Sequence, residues 1–352
     1  MPKNSVKAGF IPLYLKLYDD ANPGGHDIFT PFIQAVQSKL ESCGVSVVTP
    51  GTVFDAPHVE KASRMFAEEN VSFVVTLHLC YSPSFLIADF LEGLNLPLLV
   101  LDTTPEAGFD GMKDDYLMRN HGIHGVMDLT SVLKSRNVLF TAISGHMDDE
   151  VFGYKFDDTV SAFRGAALMK NQKVGITGSP FEGMGDFSVD FDVLSDQFNT
   201  QVCDIKVDRI ITEAAAADEN AVKDRIQQDA SSWDVSGISN EEHEQAVRGY
   251  LALRKITDEE NLTGYTMNFQ HIGDGMPTPF YGCSGLISSG IGYGGEGDVL
   301  TATLGRPLNA MSEAAKFDEF FCADWKNNRI LMSHMGEADS RFIKKGSTSY
   351  LI

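Results

Sequence analysis

The first half of the chain alternates short apolar runs with longer amphipathic segments. Apolar residues recur with a helical period between Phe29 and Ser42. The apolar runs predict strands, and they lie at 6–13, 45–49, 72–78 and 97–102. Because strands alternate with predicted helices, the pattern indicates βαβ units and a parallel sheet, whose ligands bind at the carboxyl ends of the strands.

Polar residues follow these predicted strand ends. His78 follows the third strand and Asp102 the fourth, while Asn120, His121 and His124 begin a further predicted helix. A structural hydrogen bond is the commoner role for any one of them. Three histidines near strand ends in one domain nevertheless favour the wall of a cleft.

The same alternation starts again near residue 138. Further strands are predicted at 138–146, 173–178 and 201–207, with an amphipathic helix at 157–170. A glycine-punctuated loop at 179–187 is of the kind that borders binding sites. Residues 210–254 are mainly helical and highly charged, and their run Asn240-Glu-Glu-His-Glu lacks the HExxH spacing of a metal site. We interpret that run as a solvated helix start.

These two series predict two successive Rossmann-like α/β domains with parallel sheets. We place the first at residues 1–136 and the second at 137–263. A length of 352 residues allows each domain its own core. The remaining segment, 264–352, carries the residues of the candidate site discussed below.

Composition narrows the class of protein. The formal net charge is −21, and no cluster of Lys and Arg is present, which argues against nucleic-acid binding. Five widely spaced cysteines without a CxxC pair fit reduced thiols in a cytoplasmic protein. The N-terminus leads directly into a predicted strand, and no apolar stretch approaches the length of a membrane span. We therefore expect a cytoplasmic protein with no membrane partner.

The segment 289–302 has the most unusual composition in the chain. Glu296 stands among five glycines, at positions 290, 292, 294, 295 and 297. Glycine lets the backbone take positive φ and approach a ligand closely, so this turn can present the carboxylate to a cleft. A solvated glycine turn is the plainer alternative. A phosphate cradle is a third interpretation, but the Lys-Ser/Thr of a P-loop is missing and Glu296 would repel phosphate.

Two downstream residues support a functional role for Glu296. Two strand-like runs separated by 326–329 predict a hairpin that would bring Asp324 and His334 near each other. Carboxylate and imidazole ligands suit a divalent ion such as Mn²⁺. Two carboxylates can also act as general acid and base.

The sequence resembles the L-arabinose isomerase family, within the L-fucose/L-arabinose isomerase superfamily, along nearly its whole length. The strongest similarity is Gly292-Tyr-Gly-Gly-Glu-Gly-Asp298 with Thr301-Ala302, followed by Ser333-His-Met-Gly-Glu337. Weaker similarities lie at 74–83, 115–125 and 144–149. The resemblance implies a protein of carbohydrate metabolism that interconverts an aldose and a ketose through an enediol, with Mn²⁺ or another divalent metal as cofactor.

The resemblance also implies roles for individual residues. Glu296 corresponds to a metal ligand that also shuttles the proton, and His334 to a metal-ligand histidine. The implied substrate-binding positions are Tyr18, His124, Met184 and Phe269, of which His124 would enter the site of a neighbouring subunit. The implied architecture adds a third, β-barrel-type domain beginning in 264–352, and the implied assembly is a homo-oligomer, a trimer or a hexamer.

Two departures from the family pattern change these expectations. The family's second glutamate corresponds to Ala323 here, so we expect the adjacent Asp324 to replace it as catalytic residue and metal ligand. The family continues beyond the position of Ile352 and supplies a last metal-ligand histidine there, so we expect a C-terminally truncated or variant member whose substrate is a sugar other than L-arabinose. The alternative function is a non-catalytic sugar-binding or regulatory descendant of the isomerase fold.

Overall fold

The structure is a computed structural model that describes residues 6–110, 115–273, 275–276, 279–312, 314–334 and 336–342. The chain divides after Ala167 into two compact units. Each unit contains a parallel sheet with helices, which confirms the mixed α/β class predicted from the alternation of apolar runs.

The first unit is built on a parallel sheet whose described strands follow the order β2-β1-β3-β4-β5. These strands are β1 (Lys7–Leu13), β2 (Ser46–Val48), β3 (Phe73–His78), β4 (Leu98–Asp102) and β5 (Thr141–Ser144). Every residue of β3 is buried, as expected for a central strand covered on both faces.

Helices cover this sheet. They are α1 (Lys16–Ala21), α2 (Thr30–Ser42), α3 (Ala56–Glu68), α4 (Ala88–Leu94), α5 (Tyr116–Asn120), α6 (Ile123–Ser135) and α7 (Glu150–Leu168). The start of α3 shows why the sequence folds this way locally. The Asp55 side chain accepts a hydrogen bond from the backbone N–H of His58, and Pro57 occupies the first turn, where its missing N–H costs nothing. The apolar stripe of α6, with Val126, Leu129 and Leu133, packs into the same core as β3 and β4.

We expected the strand β5 to be the first strand of the second domain, but it belongs to the sheet of the first unit. It pairs in parallel with β4, with Leu99 opposite Thr141 and Asp102 opposite Ser144. A short apolar run can pair with any free sheet edge, so its composition did not reveal which sheet it joins. The proposed boundaries at 136/137 and 263/264 stay predictions.

The second unit contains a parallel sheet whose described strands follow the order β7-β6-β8-β9. The strands are β6 (Lys173–Thr177), β7 (Gln201–Asp204), β8 (Gly264–Met267) and β9 (Gly292–Gly295). The helices are α8 (Phe191–Phe198), α9 (Val207–Ala215), α10 (Glu219–Ser232), α11 (Asn240–Glu260), α12 (Pro279–Ser288) and α13 (Val299–Ser312). The core between the sheet and α11 and α12 includes Leu253, Ile256, Tyr265 and Leu286.

The glycines of β9 let α13 pack directly on the strand backbone. A Cβ at Gly292 would lie 2.2 Å from the carbonyl oxygen of Ala302, and one at Gly294 would lie 2.4 Å from that of Asp298. Backbone atoms cannot move aside cheaply, so both positions require glycine. The close packing fixes the end of β9, where Glu296 follows.

The predicted hairpin is present as β10 (Glu319–Asp324) and β11 (Arg329–Ser333), an antiparallel pair. Within the described residues this pair forms a separate two-stranded sheet, and it does not confirm the predicted barrel-type domain. Among the described helices, none combines the length and apolar character that crossing a bilayer requires.

Candidate active site

The carboxyl edge of the second sheet carries the glutamate predicted from the glycine-rich segment. Glu296 directly follows β9 and has a φ of 59°, in the left-handed region that side chains other than glycine rarely occupy. Its carbonyl oxygen accepts a hydrogen bond from the Phe181 N–H at 3.0 Å. Such backbone strain persists where surrounding contacts hold it, and it is concentrated at functional sites.

Two predicted pocket residues lie at the same edge. Phe269 follows β8, is 44 % exposed, and packs against Phe181 with ring centroids 6.0 Å apart. Met184 belongs to the loop that follows β6, and its N–H bonds to the carbonyl of Phe181. Phe181 therefore connects Glu296, Phe269 and the loop of Met184, as the rule for parallel sheets predicts.

His334 is held in a defined orientation next to this edge. Its Nδ1 lies 2.7 Å from Glu337 Oε2, and its ring meets Phe317 edge-to-face at 4.6 Å. The Tyr293 hydroxyl donates to the other oxygen of Glu337, which is 3 % exposed. Since the carboxylate accepts, Nδ1 is the donor, and in the neutral ring Nε2 then keeps its lone pair for a ligand.

The imidazole of His334 faces Gly295, the residue before Glu296. A Cβ at Gly295 would lie 3.1 Å from Cε1 and 3.3 Å from Nε2 of the ring. The structure thus brings His334 close to the backbone next to Glu296, and a side chain at position 295 would clash with Phe317 and crowd the histidine.

The carboxylate of Glu319 also lies close enough to Glu296 and His334 to affect the pKa of both. Partial burial raises the pKa of Glu296, the nearby Glu319 and Glu337 raise it further, and His334 opposes them. The hydrogen bond to Glu337 raises the pKa of His334, and the negative charges of Glu337, Glu319 and Glu296 add to that effect. Glu319 was not predicted. It begins β10 without any motif that could have marked it.

The expected proximity of Asp324 and His334 is wrong, because of the strand register. Asp324 lies opposite Arg329 at the turn, where its carboxylate accepts hydrogen bonds from Asn327. Glu319 lies opposite Ser333, next to His334. Five residues along a strand separate the two acidic groups by roughly 15 Å. Glu319, and not Asp324, is the acidic strand residue beside the histidine.

The donor set fits a divalent metal chemically. Glu296 and Glu319 offer carboxylate oxygens and His334 offers an imidazole nitrogen, the ligands that Mn²⁺ takes. The negative charges of Glu319 and Glu337 raise the pKa of Glu296, and a bound cation would reduce this repulsion between carboxylates. In the described residues, however, no group of three or more His, Cys, Asp or Glu side chains is placed so that it could hold a metal ion.

The other predicted residues form a cluster in the first unit. The Tyr18 hydroxyl lies 3.4 Å from His121 Nε2, and the rings of His121 and His124 are 6.3 Å apart. His124 is exposed in the first turn of α6. His78 is buried beneath α6, where Gly122 would place a Cβ 2.2 Å from its carbonyl oxygen. Tyr18, His121 and His124 therefore lie close together, and His78 is buried beneath the helix that carries His124.

Comparisons with known proteins point to one family. Residues 193–314 match the family model described as the L-arabinose isomerase central domain. The L-arabinose isomerase of Nocardioides sp. is 24 % identical over 281 residues, which cover 76 % of this chain and 56 % of that protein. The L-arabinose isomerase of Saccharophagus degradans is 25 % identical over 321 residues, which cover 86 % of this chain and 62 % of that protein. The L-arabinose isomerase of Pediococcus pentosaceus is 26 % identical over 290 residues, which cover 77 % of this chain and 60 % of that protein.

The two parallel sheets with their helices place the chain among the α/β proteins, a class whose ligands bind at the carboxyl ends of the strands. Within that class the chain is similar to L-arabinose isomerases at low identity, which confirms the resemblance seen in the sequence. The chain spans 56 to 62 % of the length of the three relatives described above.

Proposed function

We propose that this chain acts as a metal-dependent aldose–ketose isomerase. The observation that carries the proposal is the placement of Glu296 beside His334, whose Nδ1 is held by the buried Glu337. The names of the relatives, all L-arabinose isomerases, support the reaction class. The proposed substrate class is an aldose.

Glu296 moves the proton in the proposed mechanism. Its carboxylate removes the proton from C2 of an open-chain aldose and returns it to C1, while the hydroxyl proton passes from O2 to O1 through an enediol. The raised pKa of Glu296 brings its proton affinity closer to neutral pH, where a group that both takes and returns a proton works best.

The remaining residues position the sugar and the cation. His334, Glu296 and Glu319 would hold a divalent ion such as Mn²⁺, which polarises the adjacent sugar oxygens when bound. Phe269 and the loop of Met184 flank Glu296 and would contact the sugar. Tyr18 and His124 stay proposed substrate-binding residues, and a cytoplasmic homo-oligomer without nucleic-acid or membrane partners stays the proposed context.

Calorimetric titration of Mn²⁺ into the chain and into Glu296→Gln tests the proposal. We expect binding that weakens at least tenfold in the variant, together with loss of ketose formation from a panel of aldoses. Glu68→Gln, an exposed carboxylate on α3, is the matched control and should behave as the unaltered chain. Unchanged binding in Glu296→Gln would refute the site, and sugar binding without turnover in the unaltered chain would favour the non-catalytic alternative.

A further inference from the structure

A buried polar cluster joins three helices of the second unit. The carboxylate of Asp229 on α10 is 1 % exposed, and its Oδ2 lies 3.0 Å from His243 Nε2 on α11. The Tyr281 hydroxyl on α12 donates to the same oxygen at 2.5 Å. Burial raises the pKa of Tyr281, and the hydrogen bond to Asp229 raises it further, so the phenol keeps its proton and remains a donor.

This cluster orients the guanidinium of Arg225. Its Nε donates to the Tyr281 hydroxyl at 2.6 Å and lies 3.0 Å from Asp229 Oδ1. Its Cζ lies 4.8 Å from the ring centre of Tyr250 and 5.4 Å from that of Tyr281. The Nε of Arg225 is thus bound within the protein. The two terminal Nη atoms have the planar geometry that binds a carboxylate or a phosphate through two hydrogen bonds.

Arg225 lines a cleft of about 830 Å³, a volume within the range of small-molecule sites. Trp233, Tyr250 and Phe280 supply an aromatic wall, and Lys316, whose Nζ is paired with Asp318 Oδ1 at 2.7 Å, also lines the cleft. The two carboxylates that line the cleft, Asp229 and Glu337, are buried and hydrogen-bonded inside the protein. The cleft therefore offers the terminal nitrogens of the Arg225 guanidinium beside an aromatic surface.

We propose that this cleft binds a small organic anion, a carboxylate or a phosphate monoester attached to a sugar or other ring. The guanidinium of Arg225 would bind the charged group, and Trp233 would stack on the ring. Glu296 is not part of the cleft lining, whereas His334 and Glu337 are. The proposed anion site therefore adjoins the candidate isomerase site, with the anion on the Glu337 side of His334.

Calorimetry with ribose 5-phosphate, glucuronate, inorganic phosphate and neutral ribose tests the proposal. We expect ribose 5-phosphate or glucuronate to bind more tightly than inorganic phosphate, and ribose to bind at least tenfold more weakly. The better of the two charged ligands distinguishes a phosphate ester from a carboxylate. The measurement is binding alone, so its result is independent of any isomerase activity.

Three variants locate the binding. Arg225→Lys keeps the charge but loses the two-pronged geometry, and we expect at least a tenfold weaker affinity. Trp233→Ala leaves the buried cluster intact and should weaken binding of the ring-bearing anions but not of inorganic phosphate. Arg254→Lys, at a partly exposed arginine of α11 paired with Asp258, is the matched control and should change nothing.

Three outcomes would overturn the proposal. The first is that none of the anions binds at millimolar concentration, and the second is that Arg225→Lys and Trp233→Ala both bind with unaltered affinity. The third is self-association through the cleft. It would appear as a sedimentation coefficient that rises with protein concentration and is lower in Trp233→Ala, because a second copy would then cover the cleft. Circular dichroism melting of each variant confirms that it is folded.

Discussion

His334 donates its Nδ1 proton to Glu337, whose second oxygen is held by Tyr293. These two hydrogen bonds hold the imidazole through its Nδ1 side. Its Nε2 therefore faces Gly295, next to Glu296 at the edge of the sheet. A carboxylate behind a histidine raises its basicity and sets its tautomer. Glu337 is therefore a positioning residue whose effect is transmitted through His334.

Glu337→Gln should weaken Mn²⁺ binding by about tenfold to a hundredfold, because an amide holds the histidine less firmly than a carboxylate does. Calorimetric titration at pH 7.5 measures the change. Asp339→Asn, at another buried carboxylate of the same segment, tests whether any lost charge there has this effect. Equal weakening in both variants would show a structural cause and not a specific role of Glu337.

Glu319 and Asp324 can be distinguished directly. We expect Glu319→Gln to weaken divalent-cation binding at least tenfold, because Glu319 contributes to the charge around both Glu296 and His334. Asp324→Asn should leave the affinity within about twofold, since its carboxylate is bonded to Asn327 at the turn. The opposite pattern would restore the role that the sequence predicted for Asp324.

His78 should make the first unit sensitive to acid. Burial lowers the pKa of His78 to about 4, below its ordinary value of 6.5. Between these pH values the unfolded chain binds a proton that the folded chain does not, so the free energy of unfolding decreases as pH falls from 6.5 to 4. The decrease amounts to about 3 kcal/mol at most.

Urea unfolding at several pH values between 7 and 4.5 checks this prediction. The His78→Gln variant should lose less stability over this range than the unaltered chain does. His146→Gln, at a partly exposed histidine, should keep the full decrease. If His78→Gln loses as much stability as the unaltered chain, His78 is not the group responsible.

Gly294→Ala tests the packing of α13 on β9. The added Cβ would lie 2.4 Å from the carbonyl oxygen of Asp298, a backbone atom, so we expect a loss of about 1 to 3 kcal/mol in the free energy of unfolding. Gly153→Ala in α7 meets no atom within 4 Å and should instead raise stability by about 0.5 to 1 kcal/mol. Denaturant unfolding of both variants measures the contrast, and a neutral Gly294→Ala would contradict the close packing.

The regular elements were predictable because their cores are strongly patterned. The strand 73–78 is buried along its whole length, and the helical period at 29–42 corresponds to α2. The sheet that β5 joins was not predictable, because pairing depends on which edge lies nearby and not on the composition of the strand. Glu296 and His334 were found because glycine spacing and the similarity at 333–337 marked them.

His243 and Glu319 show what the sequence concealed. The helix start around His243 was predicted, and Ser239 and Glu242 form a capping box there, but His243 itself is buried against Asp229 and not solvated. Its burial depends on α10, a contact between helices that local charge pattern does not report. Glu319 likewise acquires its neighbours only through the register of a hairpin.

The hydrogen bond from the Phe181 N–H to Glu296 has a consequence for engineering. This hydrogen bond links the loop that would contact the sugar to the backbone of the residue whose carboxylate would move the proton. Substitutions intended to change which sugar fits, introduced around Met184, would also shift the strained backbone at Glu296. Selectivity and turnover would therefore change together.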